Sequence, residues 1–273
     1  LEWSSITTTL GDLEAKRTAC NPAWAIQFQR WFQALGLEAG DPVVIYSSAS
    51  FPGLLLNAVA AAEAARLDIF LIVSLGASTW GANHPGAPWP VLESELLRAG
   101  FIHKQADFYT LGAGAEMGHG LTPQDQALLR QAANQAGVGI LNAPDLKAMV
   151  GLKTELLIAH QPRLFISIGG SQANLGDEEE VLRLSRGPVP ASEADRAGNG
   201  VIAQAMRDGI PVIHMLNIRS IANTVGIPYD RAPSRAAPIR ANPWWSATGL
   251  LLFFGVLLSH RRWRLEDPGS TGL

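Results

Sequence analysis

The sequence predicts an α/β fold: a mostly parallel, Rossmann-like three-layer sheet with flanking helices, plus a C-terminal transmembrane helix. Three observations predict it. Six short apolar runs, rich in β-branched residues, alternate with helix-like stretches between residues 42 and 216, as in a parallel sheet covered on both faces. The helix-like stretches carry start and stop signals, such as Thr122-Pro123 before one of them and Gly137 after it. Residues 244–259 are uncharged and mostly apolar, with tryptophans at one edge and arginines beyond the other.

The elements follow in order. NPAWAIQFQRWFQALGL (21–37) spaces its apolar residues as an amphipathic helix packing on the sheet. PVVIY (42–46) predicts a buried strand. In SFPGLLLNAVAAAEAARL (50–67), Ser50 suits a helix cap, Pro52 the first turn, and the Leu and Ala content the body. IFLIVS (69–74) is the next strand, and PVLESELLRAG (90–100) a helix ending in glycine. ADFYTL (106–111) predicts a strand, TPQDQALLRQAANQAG (122–137) a well-marked helix, and VGIL (138–141) a strand. PDLKAMVGLKTELLIAH (144–160) is helical with Gly151 inside it, and RLFISIGG (163–170) runs from a strand into a glycine turn. GNGVIAQAMRDG (198–209) is helical and PVIHML (211–216) is the last strand. Residues 1–226 therefore form one α/β domain, and 227–243, rich in proline and arginine, an extended linker. Residues 244–259 form the span, and 260–273 a short basic, then polar, tail.

Net charge is −3 in 273 residues, which gives no footprint for nucleic acid. Cys20 is the single cysteine, so no intrachain disulfide forms. His84, His103, His119 and His160 lack metal-ligand spacing with carboxylates, and neither a metal nor a cofactor is expected. GAGAEMG (112–118) approaches a dinucleotide fingerprint with the wrong spacing, and its glycines do not open the helix near Thr122. GDEEEVLRL (176–184) reads as a solvated acidic face. The chain begins with Leu1 rather than Met, so a natural start, with any signal or anchor, is expected to precede it.

Trp244 to Ser259 is sixteen residues without a charge. A helix of that length covers about 24 Å against a hydrocarbon core of about 30 Å. Trp244, Trp245 and Trp263 suit the headgroup level, and Arg261, Arg262 and Arg264 reach outward beyond the core. The stretch is apolar all round, which suits a span or a buried last helix rather than a surface helix; the expectation is a span.

Ligands of open parallel sheets sit outside the carboxyl ends of the strands, which singles out four loops. YSSASFP (46–52) joins a strand to a helix through Ser47, Ser48 and Ser50, a place for an anion or, less directly, a nucleophile, although the G-x-S-x-G spacing is absent. SLGASTWGANHP (74–85) offers Gly76 and Gly81 for close approach and Ser78, Thr79, Asn83 and His84 for hydrogen bonds. SIGGSQANLG (167–176) brings Gly169, Gly170 and Ser171 into a polar cradle that is not a P-loop. HMLNI (214–218) places His214 and Asn217 after an apolar strand.

Several stretches together resemble the poly-gamma-glutamate system protein family. They are ITTTLGDLEAKRTACNPAWA (6–25), SSASFPGLLLNAVAAAEA (47–64), VSLGASTWGANHP (73–85), FISIGGSQANLG (165–176) and GIPVIHMLNI (209–218). The resemblance covers most of residues 6–230, and Ser50, Phe51, Pro52, Gly76, Ser78, Gly81, Asn83, Gly169, Gly170, His214 and Asn217 fit its pattern. The pattern has Gly-x-Ser-Gly-Ser-Phe-Pro where this chain has Tyr46 to Pro52, and three glycines where it has Gly169, Gly170 and Ser171. The resemblance implies a part in bacterial machinery that polymerises glutamate through its γ-carboxyl and moves the polymer outward. It supplies no catalytic residues.

Two functions are thus expected from the sequence. The first is a membrane-anchored accessory protein of poly-γ-glutamate (capsule or extracellular polymer) synthesis or export. Its domain binds an anionic glutamyl ligand or a partner subunit through Ser47, Ser50, Gly76, Ser78, Gly81, Asn83, Gly169, Gly170, Ser171 and Asn217. Its partners are the synthase or export subunits, the polymer and the bilayer. The second is a serine-dependent γ-glutamyl hydrolase or transpeptidase, with Ser48 or Ser50 attacking, His214 as base and the Gly169 and Gly170 amides holding the oxyanion. Arg261, Arg262 and Arg264 lie immediately against the apolar run, which favours a cytoplasmic tail and, with an anchor at each end, an extracytoplasmic domain in a bacterial cell membrane.

Overall fold

A computed structural model describes residues 1–231. The chain opens with α1 (Leu13–Ala19) and α2 (Ala23–Ala34), then enters β1 (Pro42–Ser48), α3 (Pro52–Ala64) and β2 (Asp68–Ser74). A small hairpin of β3 (Asn83–His84) and β4 (Ala87–Pro88) leads to α4 (Trp89–Arg98). β5 (Phe108–Thr110), α5 (Pro123–Ala136), β6 (Gly139–Ile140), α6 (Leu146–Ala159) and β7 (Leu164–Ile168) follow. The last part holds α7 (Gln172–Leu175), β8 (Gly187–Val189), α8 (Val201–Arg207), β9 (Val212–Met215) and α9 (Ile218–Val225).

The sheet has seven strands in the order β6-β5-β2-β1-β7-β9-β8. All neighbours are parallel except β8, which runs antiparallel to β9. It is a mostly parallel α/β sheet flanked by helices. β1 lies centrally because Val43, Val44, Ile45 and Tyr46 are apolar on both faces of the strand, and all four are fully buried. Val43 and Ile45 pack with Trp24 of α2, Leu54 and Leu55 of α3 and Trp89 of α4. Val44 and Tyr46 pack instead with Leu157 of α6 and Val201 and Ile202 of α8. This is the period-two alternation of a strand.

All six expected strands form, trimmed or extended by a few residues, and Thr122 caps α5 by accepting from the Asp125 N–H at 3.2 Å. Ser50 does not cap α3. Phe51 is the cap position, without a side-chain bond. The Ser50 hydroxyl is already committed to the Ser78 N–H at 3.0 Å and the Ser48 hydroxyl at 2.9 Å. The acidic run Glu178, Glu179 and Glu180 is exposed, as expected, while Val181 and Leu184 after it are buried. Residues 227–231 are not extended linker. Ile227 is buried, Tyr229 donates to Asp12 at 2.9 Å, and the Asp230 N–H donates to Thr18 at 2.8 Å. The compact unit accordingly runs from Leu1 to Ala232. The rest of the expected linker, the span at 244–259 and the tail lie outside the described residues; among those described, no helix is long and apolar enough to cross a membrane.

Candidate functional site

Strand order reverses between β1 and β7: the chain proceeds outward to β2, β5 and β6 on one side and to β9 on the other. The crevice at the carboxyl ends of such a pair is where α/β sheets place ligands. A cavity of about 540 Å³ lies there.

Its walls are built by short-range bonding. After β1 the Ala49 N–H reaches the Ser74 carbonyl at 2.8 Å, which turns the chain sharply into Ser50. The Ser50 N–H donates to Ser48 Oγ at 3.1 Å, and Ser48 Oγ donates to Ser50 Oγ at 2.9 Å. The loop after β2 then lies on this turn. A Cβ at Gly81 would sit 2.9 Å from Ser50 Cα, so only glycine permits the approach. The N-terminal segment straps the same loop, with Thr8 N–H to Ala77 carbonyl at 2.9 Å and Thr79 N–H to Thr9 carbonyl at 3.0 Å.

α1 delivers Lys16 into the cavity. Asp12 caps the helix by accepting from the Glu14 and Ala15 N–H groups at 2.9 and 3.4 Å. Lys16 is only 6% exposed. Its Nζ donates to Ser78 Oγ at 2.7 Å and to the Ser50 carbonyl, and lies 3.6 Å from the centre of the Phe51 ring. Burial pulls its ammonium down to about 7, against weaker upward pulls from Asp12 and Cys20. Among the described residues lining the cavity there is no Asp or Glu, and its titratable side chains are Lys16 and His119.

A second buried lysine sits behind the wall. Lys153 and Glu116 are each 1% exposed and pair at 3.1 Å. Glu116 also accepts from Thr110 at 2.7 Å, from the Ala173 N–H at 2.9 Å and from Ser171, while Lys153 donates to Asn174 at 2.7 Å. Against burial, which pushes it upward, Lys153 and the Ser171 and Thr110 hydroxyls hold the Glu116 carboxyl below its ordinary range. This charge pair is therefore hydrogen-bonded throughout, and it holds Ser171 at the cavity wall.

The expected site residues divide in two. Ser48, Ser50, Gly76, Ser78, Gly170 and Ser171 line the cavity together. The remaining ones do not. Ser47 is buried and bonds the Ser48 carbonyl at 3.2 Å. Gly81 packs on Ser50, and Gly169 takes a left-handed φ of +78° with its N–H on the Met215 carbonyl at 2.9 Å. Asn83 is fully buried, donating to Thr7 at 2.9 Å and to the Leu1 carbonyl at 3.0 Å. Asn217 caps α9 by accepting from the Ser220 N–H at 3.1 Å. His214 lies within the sheet, in register with Ser167 and through it Tyr46, two residues short of the Ser48 turn, and neither of its ring nitrogens has a hydrogen-bond partner among the described residues. Ser48 and Ser50 bond each other instead, so the geometry gives them no histidine base. Sequence reasoning missed Lys16, the strap at 7–11 and the His119 segment. A second cavity of about 590 Å³ between α6 and α8 mixes Lys147 with Glu155 and Asp177 and reaches neither the Ser48 nor the Gly170 turn.

His214 makes one prediction immediate. Burial, helped by Arg186, pushes its imidazole down to about 4. The folded value lies below the unfolded one near 6.5, so the stability it allows is full above pH 6.5 and is lost as pH falls toward 4. That window is worth about 3 kcal/mol. His214→Leu removes this dependence and, by deleting two unpaired polar atoms, stabilises the protein by about 1–2 kcal/mol at pH 7. Urea titrations at pH 7 and pH 4.5 measure both; an unchanged slope with pH would contradict the assignment.

Among the described residues, no three His, Cys, Asp or Glu side chains converge to hold a metal ion. Compared with family models, with curated proteins and with solved structures, the chain gives no match.

Proposed function

We propose that the cavity binds a carboxylate-bearing ligand, a γ-linked glutamyl chain, and that the protein is an accessory component of bacterial poly-γ-glutamate synthesis or export. The observation that carries this reading is a wall that, among the described residues, holds no carboxylate and sets serine and threonine hydroxyls around one lysine with no acidic partner in hydrogen-bond reach. A buried ammonium lacking a counter-ion favours an incoming anion. Ser50 Oγ accepts two donors, from Ser78 N–H and Ser48 Oγ, which leaves its own proton for a ligand oxygen. In this reading the fold is a Rossmann-like three-layer sheet and residues 244–259 span the membrane. The domain faces outward, beside synthase or export subunits.

Titrating the full-length protein in detergent with γ-linked pentaglutamate, by calorimetry, tests the binding. Affinity should tighten as pH falls through 7, where Lys16 gains its proton while the ligand carboxylates stay ionised. Lys16→Met should weaken binding tenfold or more, about 1.4 kcal/mol. Absence of any heat of binding to the unaltered protein at pH 6 and low salt would end the proposal.

A further inference from the structure

We infer that Ser78 and Lys16 are a nucleophile and its general base, and that the cavity cleaves acyl bonds of the glutamyl ligand. The substrate class, a γ-linked amide bearing carboxylates, rests on the binding reading above; the dyad itself rests on geometry.

Five serines line the cavity. Ser171 is committed to the paired Glu116 and Lys153, and among the described residues Ser78 alone meets a base that has no carboxylate partner. Ser48 Oγ and Ser50 Oγ bond each other at 2.9 Å. Ser78 Oγ lies 2.7 Å from Lys16 Nζ, within the reach a nucleophile–base pair needs. The Ser78 main chain is fixed by its N–H on Ser50 Oγ at 3.0 Å, and the lysine by the Ser50 carbonyl and the Phe51 ring. Gly11 closes over both groups: a Cβ there would stand 2.9 Å from Ser78 Oγ and 3.1 Å from Lys16 Cε. A structural lysine in a buried site is ordinarily paired with a carboxylate, as Lys153 is with Glu116. Among the described residues Lys16 has none in hydrogen-bond reach, and its depressed basicity leaves a large neutral fraction at pH 7 and above. Among the described residues the charged or titratable groups around it are Asp12, Glu14, Arg17 and Cys20 on its own stretch, Arg219, Tyr229 and Asp230 from the α9 end, and His119 across the cavity.

The chemistry is acyl transfer to water. Neutral Lys16 takes the Ser78 hydroxyl proton as Oγ bonds to the amide carbon, and the carbonyl electron pair moves to oxygen. The pair returns, the C–N bond breaks, and the departing nitrogen takes the proton from Lys16. Water then attacks the Ser78 ester, again giving its proton to Lys16. The C–Oγ bond breaks, Oγ recovers that proton, and a carboxylic acid leaves.

The experiment treats the full-length protein in detergent with a fluorophosphonate, whose fluoride a serine nucleophile displaces, and maps the adduct by peptide mass spectrometry. One adduct is expected, on Ser78, with a rate that rises with pH about a midpoint near 7. Lys16→Arg keeps the charge and donors but cannot lose its proton, so it should preserve the thermal melt and slow labelling at least 100-fold. Gly11→Ala should slow it by prising the pair apart. Chain shortening of γ-linked pentaglutamate, read by mass spectrometry, should fall at least 100-fold in Ser78→Ala. No adduct on the unaltered protein, an adduct on Ser48 or Ser50 alone, or full labelling of Lys16→Arg would overturn the dyad. Pentaglutamate bound without labelling refutes the dyad and leaves the binding reading standing; Ser78 labelled without pentaglutamate binding does the reverse.

Discussion

Glu116→Ala will destabilise the domain by about 3–5 kcal/mol, the cost of breaking a buried ion pair from one side. Truncation leaves the Lys153 ammonium, 1% exposed, with Asn174 and Ser171 as partners and no negative charge. It also strands the Thr110 hydroxyl and the Ala173 N–H, both of which now donate to that carboxylate. Replacing both charges, Glu116→Leu with Lys153→Met, should cost much less, because no unpaired charge remains. Urea unfolding at pH 7 separates the cases, and a single variant as stable as the double one would refute the account. The consequence reaches the cavity, since Ser171 and the turn after β5 hang from the same carboxylate. Glu116 itself adopts a left-handed φ of +62°, beside Ala113 and Ala115 at +56° and +54°. Such conformations in residues other than glycine are held only by surrounding bonds.

Gly112→Ala will cost about 3 kcal/mol or more, through two separate causes. Gly112 takes a φ of +73°, and an added Cβ would fall 2.6 Å from Gly76 Cα. The backbone of one loop rests directly on the backbone of the next, so no flexible side chain can give way. Gly36 isolates the first cause: its φ is +65° but nothing lies within 4 Å of an added Cβ. Gly36→Ala should therefore cost about 1 kcal/mol, the price of the left-handed conformation alone. Chemical denaturation of the two variants side by side checks the difference. Equal losses would mean that the two loops part easily, and that the cavity rim is soft.

These residues mark where the sequence is legible and where it is not. The strands from Pro42, Asp68, Leu164 and Val212 announce themselves because each is a mostly apolar run whose interior is buried on both faces. The turns at Ser48 and Gly170 were equally visible, since polar and glycine residues directly follow such runs, and both line the cavity. β8 was invisible because Gly187-Pro188-Val189 looks like a loop; it is tolerated as a strand only at an edge. α1 and α9 are each under nine residues and give too short a period to recognise. Lys16 resembles any lysine on a short helix until the fold brings Ser78, 62 residues away, against it. Glu116 hides in a glycine-rich stretch and becomes intelligible only with Lys153, 37 residues on. His214 misled for a simpler reason: it pairs in register with Ser167 and, through it, with Tyr46, inside the sheet and two residues short of the Ser48 turn.

The ends of the sheet carry a consequence for how copies of this protein meet. One border strand is two residues long, and the other is three, with a proline at its middle. Neither offers the long unpaired ladder that recruits a foreign strand. Fibril-like growth by strand addition is thus disfavoured at both margins of the described sheet.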